Sequence, residues 1–232
     1  MSLFASDVQV FVLVLGPQGA GKSTFLRFLE TGEVKKDMVS TLGMSKRRLV
    51  WLEKKIEEEF KVGVSIEGTI DIPGSRDEPR DNVKIKQELE EILKESLDED
   101  TKLVIFYFLN SYELLNMREL SKVVLSVKHD VVWLYKLKNK LNIPCIAARI
   151  ILSHIDKISD MPEGYEGNTK FKQELISKVL GMGIVSQLKN VLIGECKGRF
   201  SVIPLNLLDK KQLESYVVGD LRIMMEKIAE DH

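Results

Sequence analysis

The sequence predicts an α/β fold of three layers: a mostly parallel sheet with helices on both faces, and an additional helix closing the C-terminus. Three observations predict it. Val8–Leu15 is almost continuously apolar, as a parallel strand covered on both faces requires. Strand-like runs then alternate with stretches of helical periodicity along the chain. Finally, Gln212–Ala229 places apolar residues at 213, 217, 221, 224, 225 and 228, which share one helix face. With 232 residues and 44% hydrophobic content, the chain can build one large core, so a single domain over residues 1–232 is expected.

The elements follow in order. After the first strand, Thr24–Leu29 suits a helix, and Thr31-Gly32 can end it because glycine accepts a left-handed cap. Residues 31–45 read as a loop. Arg47–Lys55 is amphipathic and fits either a strand entering a charged hairpin or a short helix. Residues 53–61 lengthen this connection and form a candidate insertion. Val62–Ile72 alternates in part and reads as a strand that Pro73-Gly74 breaks. Asp77–Asn82 is a polar loop, and Val83–Leu97 is helical by its apolar residues at 85, 89, 92, 93 and 97. Leu103–Leu109 is a buried strand. Leu114–Leu141 gives one or two helices, with a break near Lys128–Asp130. Cys145–Leu152 is a strand and Asp156–Thr169 a polar loop. Phe171–Leu188 is helical and interrupted near Gly181 and Gly183. Arg199–Leu205 is the last strand, and 210–232 holds the closing helix.

The chemistry begins at Gly16-Pro17-Gln18-Gly19-Ala20-Gly21-Lys22-Ser23, a complete G-x-x-x-x-G-K-S phosphate-binding loop. It follows a strand and opens a helix, the context this motif needs. Backbone N–H groups of Gly16 and of Gln18, Gly19, Ala20, Gly21, Lys22, Ser23 and Thr24 can wrap a β-phosphate, and the helix dipole adds to them. Lys22 can reach the β- and γ-phosphates, and the Ser23 hydroxyl can ligate Mg²⁺. The chain therefore reads as a P-loop NTPase domain. Asp71-Ile72-Pro73-Gly74 is the second element. A carboxylate at Asp71 can hold Mg²⁺ through water, and Gly74 can turn its N–H toward a γ-phosphate.

These motifs resemble those of the P-loop GTPases of the TRAFAC type, whose signature D-x-x-G the chain carries. The Asp-x-Pro-Gly form is similar to that of septin, plastid-import and immune-associated GTPases. Thr41-Leu42-Gly43 is similar to the T-x-G of the Arf-like branch. The resemblance implies bound GTP or GDP with Mg²⁺. It implies that Thr41 joins Ser23 and Asp71 around the metal and senses the γ-phosphate, with Thr31 as the fallback. The family reads guanine with N/T-K-x-D. Here Ser153-His154-Ile155-Asp156 stands in that place, so Asp156 would accept from guanine N1–H and the 2-amino group. Ser153 would tether the loop, and His154 would pack over the base or ribose. Leu205 and Asn206 would close the base pocket with main-chain groups, since an N–H needs no particular side chain. Lys22, Thr41 and Gly74 would serve catalysis, and Gln18 sits where it reaches the nucleotide or obstructs a partner's arginine.

The resemblance implies a GTP-dependent switch that hydrolyses GTP slowly, because Ser75 stands where many members place a water-orienting glutamine. A protein effector, an activating partner or a second copy of the chain would supply missing groups. The alternatives are a guanine-nucleotide-binding scaffold with little hydrolysis and an ATP-dependent P-loop protein. A kinase is disfavoured, since Arg76, Arg80 and Arg149 form no lid pattern. The 34 Lys and Arg against 35 Asp and Glu argue against direct nucleic-acid binding, as does the short basic run Lys46-Arg47-Arg48 without interleaved aromatics. No stretch is apolar enough to span a bilayer and no lipidation motif is present, so no intrinsic membrane anchor is expected. The two cysteines lack metal spacing and give no disulfide framework, and a cytoplasmic location is the expectation.

Overall fold

The computed structural model describes residues 8–35, 47–60, 64–68, 79–97, 101–141, 145–158, 169–193 and 199–230. Their strands are β1 (Val8–Leu15), β2 (Arg47–Arg48), β3 (Val64–Gly68), β4 (Lys102–Asn110), β5 (Cys145–Ser153) and β6 (Arg199–Pro204). They form one sheet in the order β2-β3-β1-β4-β5-β6. Only the β2–β3 pairing is antiparallel. The carboxyl ends of β1, β4 and β5 therefore share one rim, where open α/β sheets place ligands.

Alternation on the central strands divides the core into two layers. Val10, Val12 and Val14 of β1, with Val104, Phe106 and Phe108 of β4, meet α1 (Lys22–Thr31), α2 (Val50–Phe60) and α8 (Lys210–Glu230). Phe11, Leu13 and Leu15, with Leu103, Ile105, Tyr107 and Leu109, meet α3 (Pro79–Ser96), α4 (Ser111–Leu115), α5 (Leu120–Leu141), α6 (Thr169–Leu180) and α7 (Gly183–Ile193). This is the expected three-layer α/β architecture with its closing C-terminal helix. On the first face, Phe25 of α1 is fully buried, with its ring 5.1 Å from those of both Phe106 and Phe108. Packing of this kind fixes the helix that follows the phosphate loop against the central strands.

The stretch Arg47–Lys55 resolves as both of its alternatives in succession: two strand residues, then a helix. Helix α2 covers the outer edge of β3. The Leu49 N–H donates to the Ile66 carbonyl at 3.0 Å, and the Ile66 N–H donates to Glu53 Oε1 at 2.8 Å. Glu53 also accepts from Arg48 Nε at 2.8 Å, so a buried carboxylate satisfies edge groups that β2 is too short to pair. Trp51 packs on Phe28 with ring centroids 4.6 Å apart, and Arg47 pairs with Glu30 at 3.0 Å. Two members of the basic run are thus engaged within the fold.

Two expectations need correction. Residues Pro79–Asn82 open α3 instead of lying in a loop, since proline at the first helical position already has the right φ and lacks only an N–H that would be unpaired there. The break expected near Lys128–Asp130 falls at residues 116–119. There Asn116 ends α4, and its side chain accepts the Arg118 N–H at 3.0 Å. Helix α5 runs unbroken through Asp130 because that carboxylate is held from outside the helix. It accepts from Tyr107 Oη and from Lys86 Nζ, each at 2.8 Å. The Lys86 ammonium also lies 5.6 Å from the Trp133 ring centroid.

Candidate nucleotide-binding site

The apolar run of β1 ends at Leu15, and the chain turns through three glycines with positive φ: Gly16 at 130°, Gly19 at 73° and Gly21 at 91°. Only glycine adopts such angles at little cost. Two of these positions are also crowded. A Cβ at Gly16 would be driven into the Phe108 carbonyl of β4, and one at Gly21 into the Leu207 side chain. Gly19, by contrast, is exposed and faces open space. The loop thus lies tight against the sheet at both ends and is open at its middle, the shape of a cradle for an anion.

The Lys22 side chain folds back over this loop. Its ammonium is buried and donates to the Gly16 and Pro17 carbonyls, each at 2.8 Å. A buried cation fixed by two loop carbonyls beside the N-terminal turn of a helix sets up positive potential where phosphate would sit. Ser23 and Thr24 lie half-buried in that first turn, Ala20 is buried in the core, and Gln18 is half-buried on the loop. These donors fit a phosphate group. Ser23 supplies the one predicted metal-binding hydroxyl among the described residues. Thr41, Asp71 and Gly74 lie outside the described residues. Thr31, the fallback, donates its hydroxyl to the Arg27 carbonyl at 2.8 Å, a use internal to α1.

The segment after β5 joins the phosphate loop. Ser153 is fully buried, and its Oγ lies 2.8 Å from the Ala20 carbonyl and 3.2 Å from that of Leu109. Carbonyls only accept, so the single hydroxyl hydrogen points to them. The same oxygen lies 2.9 Å from His154 Nδ1 and must therefore accept from it. This arrangement places the imidazole hydrogen on Nδ1 and leaves Nε2 as an acceptor on the neutral ring. Ser153 thus ties the ends of β4 and β5 to the phosphate loop, the tether expected of it.

His154 is the only non-glycine residue with positive φ among the described residues, at 54°. A strained backbone at a rim position points to use of that residue. Its pKa lies below the ordinary 6.5, first because burial disfavours the imidazolium and then because Lys157 is near, while Asp156 and Glu113 pull the other way. The folded state therefore binds fewer protons than the unfolded chain just below pH 6.5. Stability linked to this ring is complete above the unfolded pKa of about 6.5 and is lost as the pH falls below it toward the folded value. Chemical denaturation across pH 5–7.5 should show that loss in the native chain. His154→Gln should flatten it, and an unchanged pH profile would refute the assignment.

Asp156 sits in a short 3₁₀ turn, Ile155–Lys157, with its carboxylate exposed. It forms no hydrogen bond or ion pair among the described residues. The loop after β6 lies across the same rim. The Leu205 N–H donates to the Leu152 carbonyl at 2.9 Å, and the Asn206 N–H donates to Gln212 Oε1 at 2.7 Å. Both N–H groups are thus engaged within the protein, and Asn206 Oδ1 accepts from Leu208 N–H at 3.0 Å. Leu207, which no motif marked, is the residue that reaches the phosphate loop, where it covers Gly21.

No protein-family profile and no curated protein matches the sequence. Among solved structures, the signal recognition particle receptor SRb-GTP/SRX complex from Chaetomium thermophilum matches with a TM-score of 0.54 at 15% identity. The match covers 93% of this chain and 98% of that one. The chain has the fold of a P-loop GTPase. Two further structures match across similar lengths with lower TM-scores. A probable GTP-binding protein engB gives 0.48 at 14% identity, over 96% of this chain and 99% of that one. The Arl6 BBS3 small GTPase from Trypanosoma brucei, with bound GppNp, gives 0.47 at 10% identity, over 97% and 99%. Within this GTPase fold, the phosphate loop, Ser153, His154, Asp156 and Leu207 share the rim formed by the carboxyl ends of β1, β4, β5 and β6. No helix of the described residues is long and apolar enough to cross a membrane.

Proposed function

We propose that the chain is a GTP-binding molecular switch that hydrolyses GTP slowly to GDP and phosphate in the presence of Mg²⁺. The observation that supports it most is the Ser153 Oγ–Ala20 carbonyl bond, which holds Asp156 at a fixed place relative to the phosphate loop. One rigid rim then offers donors for phosphates at one end and an exposed carboxylate for a base at the other. In this reading, Lys22 and the loop N–H groups take the β- and γ-phosphates. Asp156 accepts from guanine N1–H and the 2-amino group. His154, neutral and fixed by Ser153, packs beside the base or ribose. Leu205 and Asn206 border the base by shape, since their N–H groups are engaged elsewhere.

Mg²⁺ would be held by Ser23, Thr41 and Asp71, and would neutralise charge on the β- and γ-phosphates. Gly74 would offer its N–H to the γ-phosphate. Slow turnover follows from Ser75, too short to orient water as a glutamine does. The same residue favours the second reading, a guanine-nucleotide scaffold that barely hydrolyses, with switching left to an effector or activator.

Calorimetric titration of nucleotide-stripped protein tests the proposal. Mg²⁺-GDP and a non-hydrolysable GTP analogue should bind tightly, and the matching ATP analogue at least about a hundredfold more weakly, as two unmade charged hydrogen bonds require. Equal or tighter binding of the ATP analogue would overturn the guanine assignment and favour an ATP-dependent protein.

A further inference from the structure

Helix α5 carries a narrow apolar seam on its outer face. Leu125, Val132 and Tyr135 are 56%, 48% and 60% exposed, at spacings of seven and three residues. That is the spacing of one helix seam that meets another helix. Lys128 and Lys136 interleave with these residues, and neither forms an ion pair among the described residues. Three other cations near this helix are engaged: Lys122 with Glu119, Lys140 with Glu90, and Lys86 with Asp130. The seam does not end in open solvent at its N-terminal end. Leu125 and His129 there line a cavity of about 240 Å³ together with Pro17 and Gln18 of the phosphate loop and with Glu113 and Lys122.

We infer that this face binds an acidic amphipathic helix of a partner protein, laid along α5 with one end reaching the cavity beside Gln18. The stripe is narrow, three side chains wide at most and broken by Lys128, which suits helix-to-helix packing. A membrane-surface helix presents a broader apolar face. A second copy of the chain fits poorly. Two α5 helices face to face would bring Lys128 and Lys136 against the lysines of the second copy, with the Asp130 carboxylate turned inward and unable to offset them. Acidic flanks around apolar anchors complement both features of the seam at once. The cavity gives such a partner contact with the phosphate loop. The inference stands on α5 and the cavity beside it and does not depend on which nucleotide the loop binds.

The test is a benzophenone crosslinker in place of Val132 in the full chain, irradiated in the cells that express it, with the crosslinked peptide sequenced. A crosslinker in place of Glu57, exposed on α2, serves as control. The expected adduct maps to a segment of another protein with apolar residues every three or four positions and Asp or Glu beside them. Its yield should fall roughly tenfold in the K128E/K136E variant and return when the captured segment's acidic residues are reversed to lysine. Both lysines are exposed, and a thermal melt matching the native chain confirms that the variant folds. An adduct to this chain alone, to phospholipid or to a segment without that pattern overturns the inference. So does a yield no greater than at Glu57, or one that charge reversal leaves unchanged.

Discussion

Asp156→Asn should weaken binding of guanine nucleotides by about two to four orders of magnitude while leaving the fold intact. The carboxylate is exposed and makes no hydrogen bond or ion pair among the described residues, so its loss costs the folded protein little. Its expected work is on the ligand. Each of two hydrogen bonds to a charged acceptor contributes about 1.5–3 kcal/mol, so losing both removes roughly 3–6 kcal/mol. An asparagine at this position keeps one acceptor but turns a donor toward the 2-amino group of guanine, where two donors repel. Xanthine carries a carbonyl oxygen at that carbon, which an amide N–H can serve. The variant should therefore gain affinity for xanthosine diphosphate as it loses affinity for GDP. Calorimetry with both nucleotides checks the exchange. Weakening of both to the same degree would mean that Asp156 supports the loop and does not read the base.

That prediction depends on parts of the site that were legible in the sequence for a local reason. A phosphate loop is contiguous: its glycines, Lys22 and Ser23 act through backbone turns and a helix start that lie within eight residues. The bounds of β1 follow equally from its continuous apolar run. Ser153 was recognisable because it follows an apolar strand at fixed spacing, and its hydroxyl does reach the phosphate loop. The features that were not legible depend on residues distant in sequence. Glu53 looks like one charge among many in Glu53–Lys61, yet it caps the edge of β3 through Ile66, 13 residues on. Asp130 reads as a helix break, and only the fold brings Lys86 and Tyr107 to hold it. Leu207 belongs to no motif, and only the fold lays it on Gly21. Periodicity reports which face of an element is apolar. It does not report which polar residue on another element completes that face.

Arg149 is the strongest example, and it yields the largest expected effect on stability. As a sequence position it is an arginine inside an apolar strand, without a lid to join. In the fold it is almost fully buried on β5 and meets Asp220 of α8, 71 residues away. Nε and Nη2 of Arg149 reach Asp220 Oδ1 at 2.9 and 2.8 Å, and Nη1 donates to the Ala148 carbonyl at 3.1 Å. Tyr216 adds its hydroxyl to Asp220 Oδ2 at 3.3 Å. Burial first, and then the Asp220 carboxylate, push that phenol well above its ordinary pKa, so it remains a neutral donor.

Removing one member of such a pair leaves the other charge buried and uncompensated. Asp220→Ala should therefore destabilise the protein by about 3–5 kcal/mol. For a chain of this size, that corresponds to a Tm lower by roughly 6–20 °C, read by calorimetry. Arg149→Met alone should cost less than Asp220→Ala, because the remaining carboxylate can take up a proton and still receive the Tyr216 hydroxyl. The double variant Arg149→Met/Asp220→Leu should recover most of the loss, since well-packed apolar side chains often replace a buried ion pair at little cost. Recovery would show that the pair serves mainly to keep each charge satisfied, and that α8 docks chiefly through Leu213 and Val217. If the double variant were instead as unstable as Asp220→Ala, the ion pair itself would be what fixes the closing helix to the sheet.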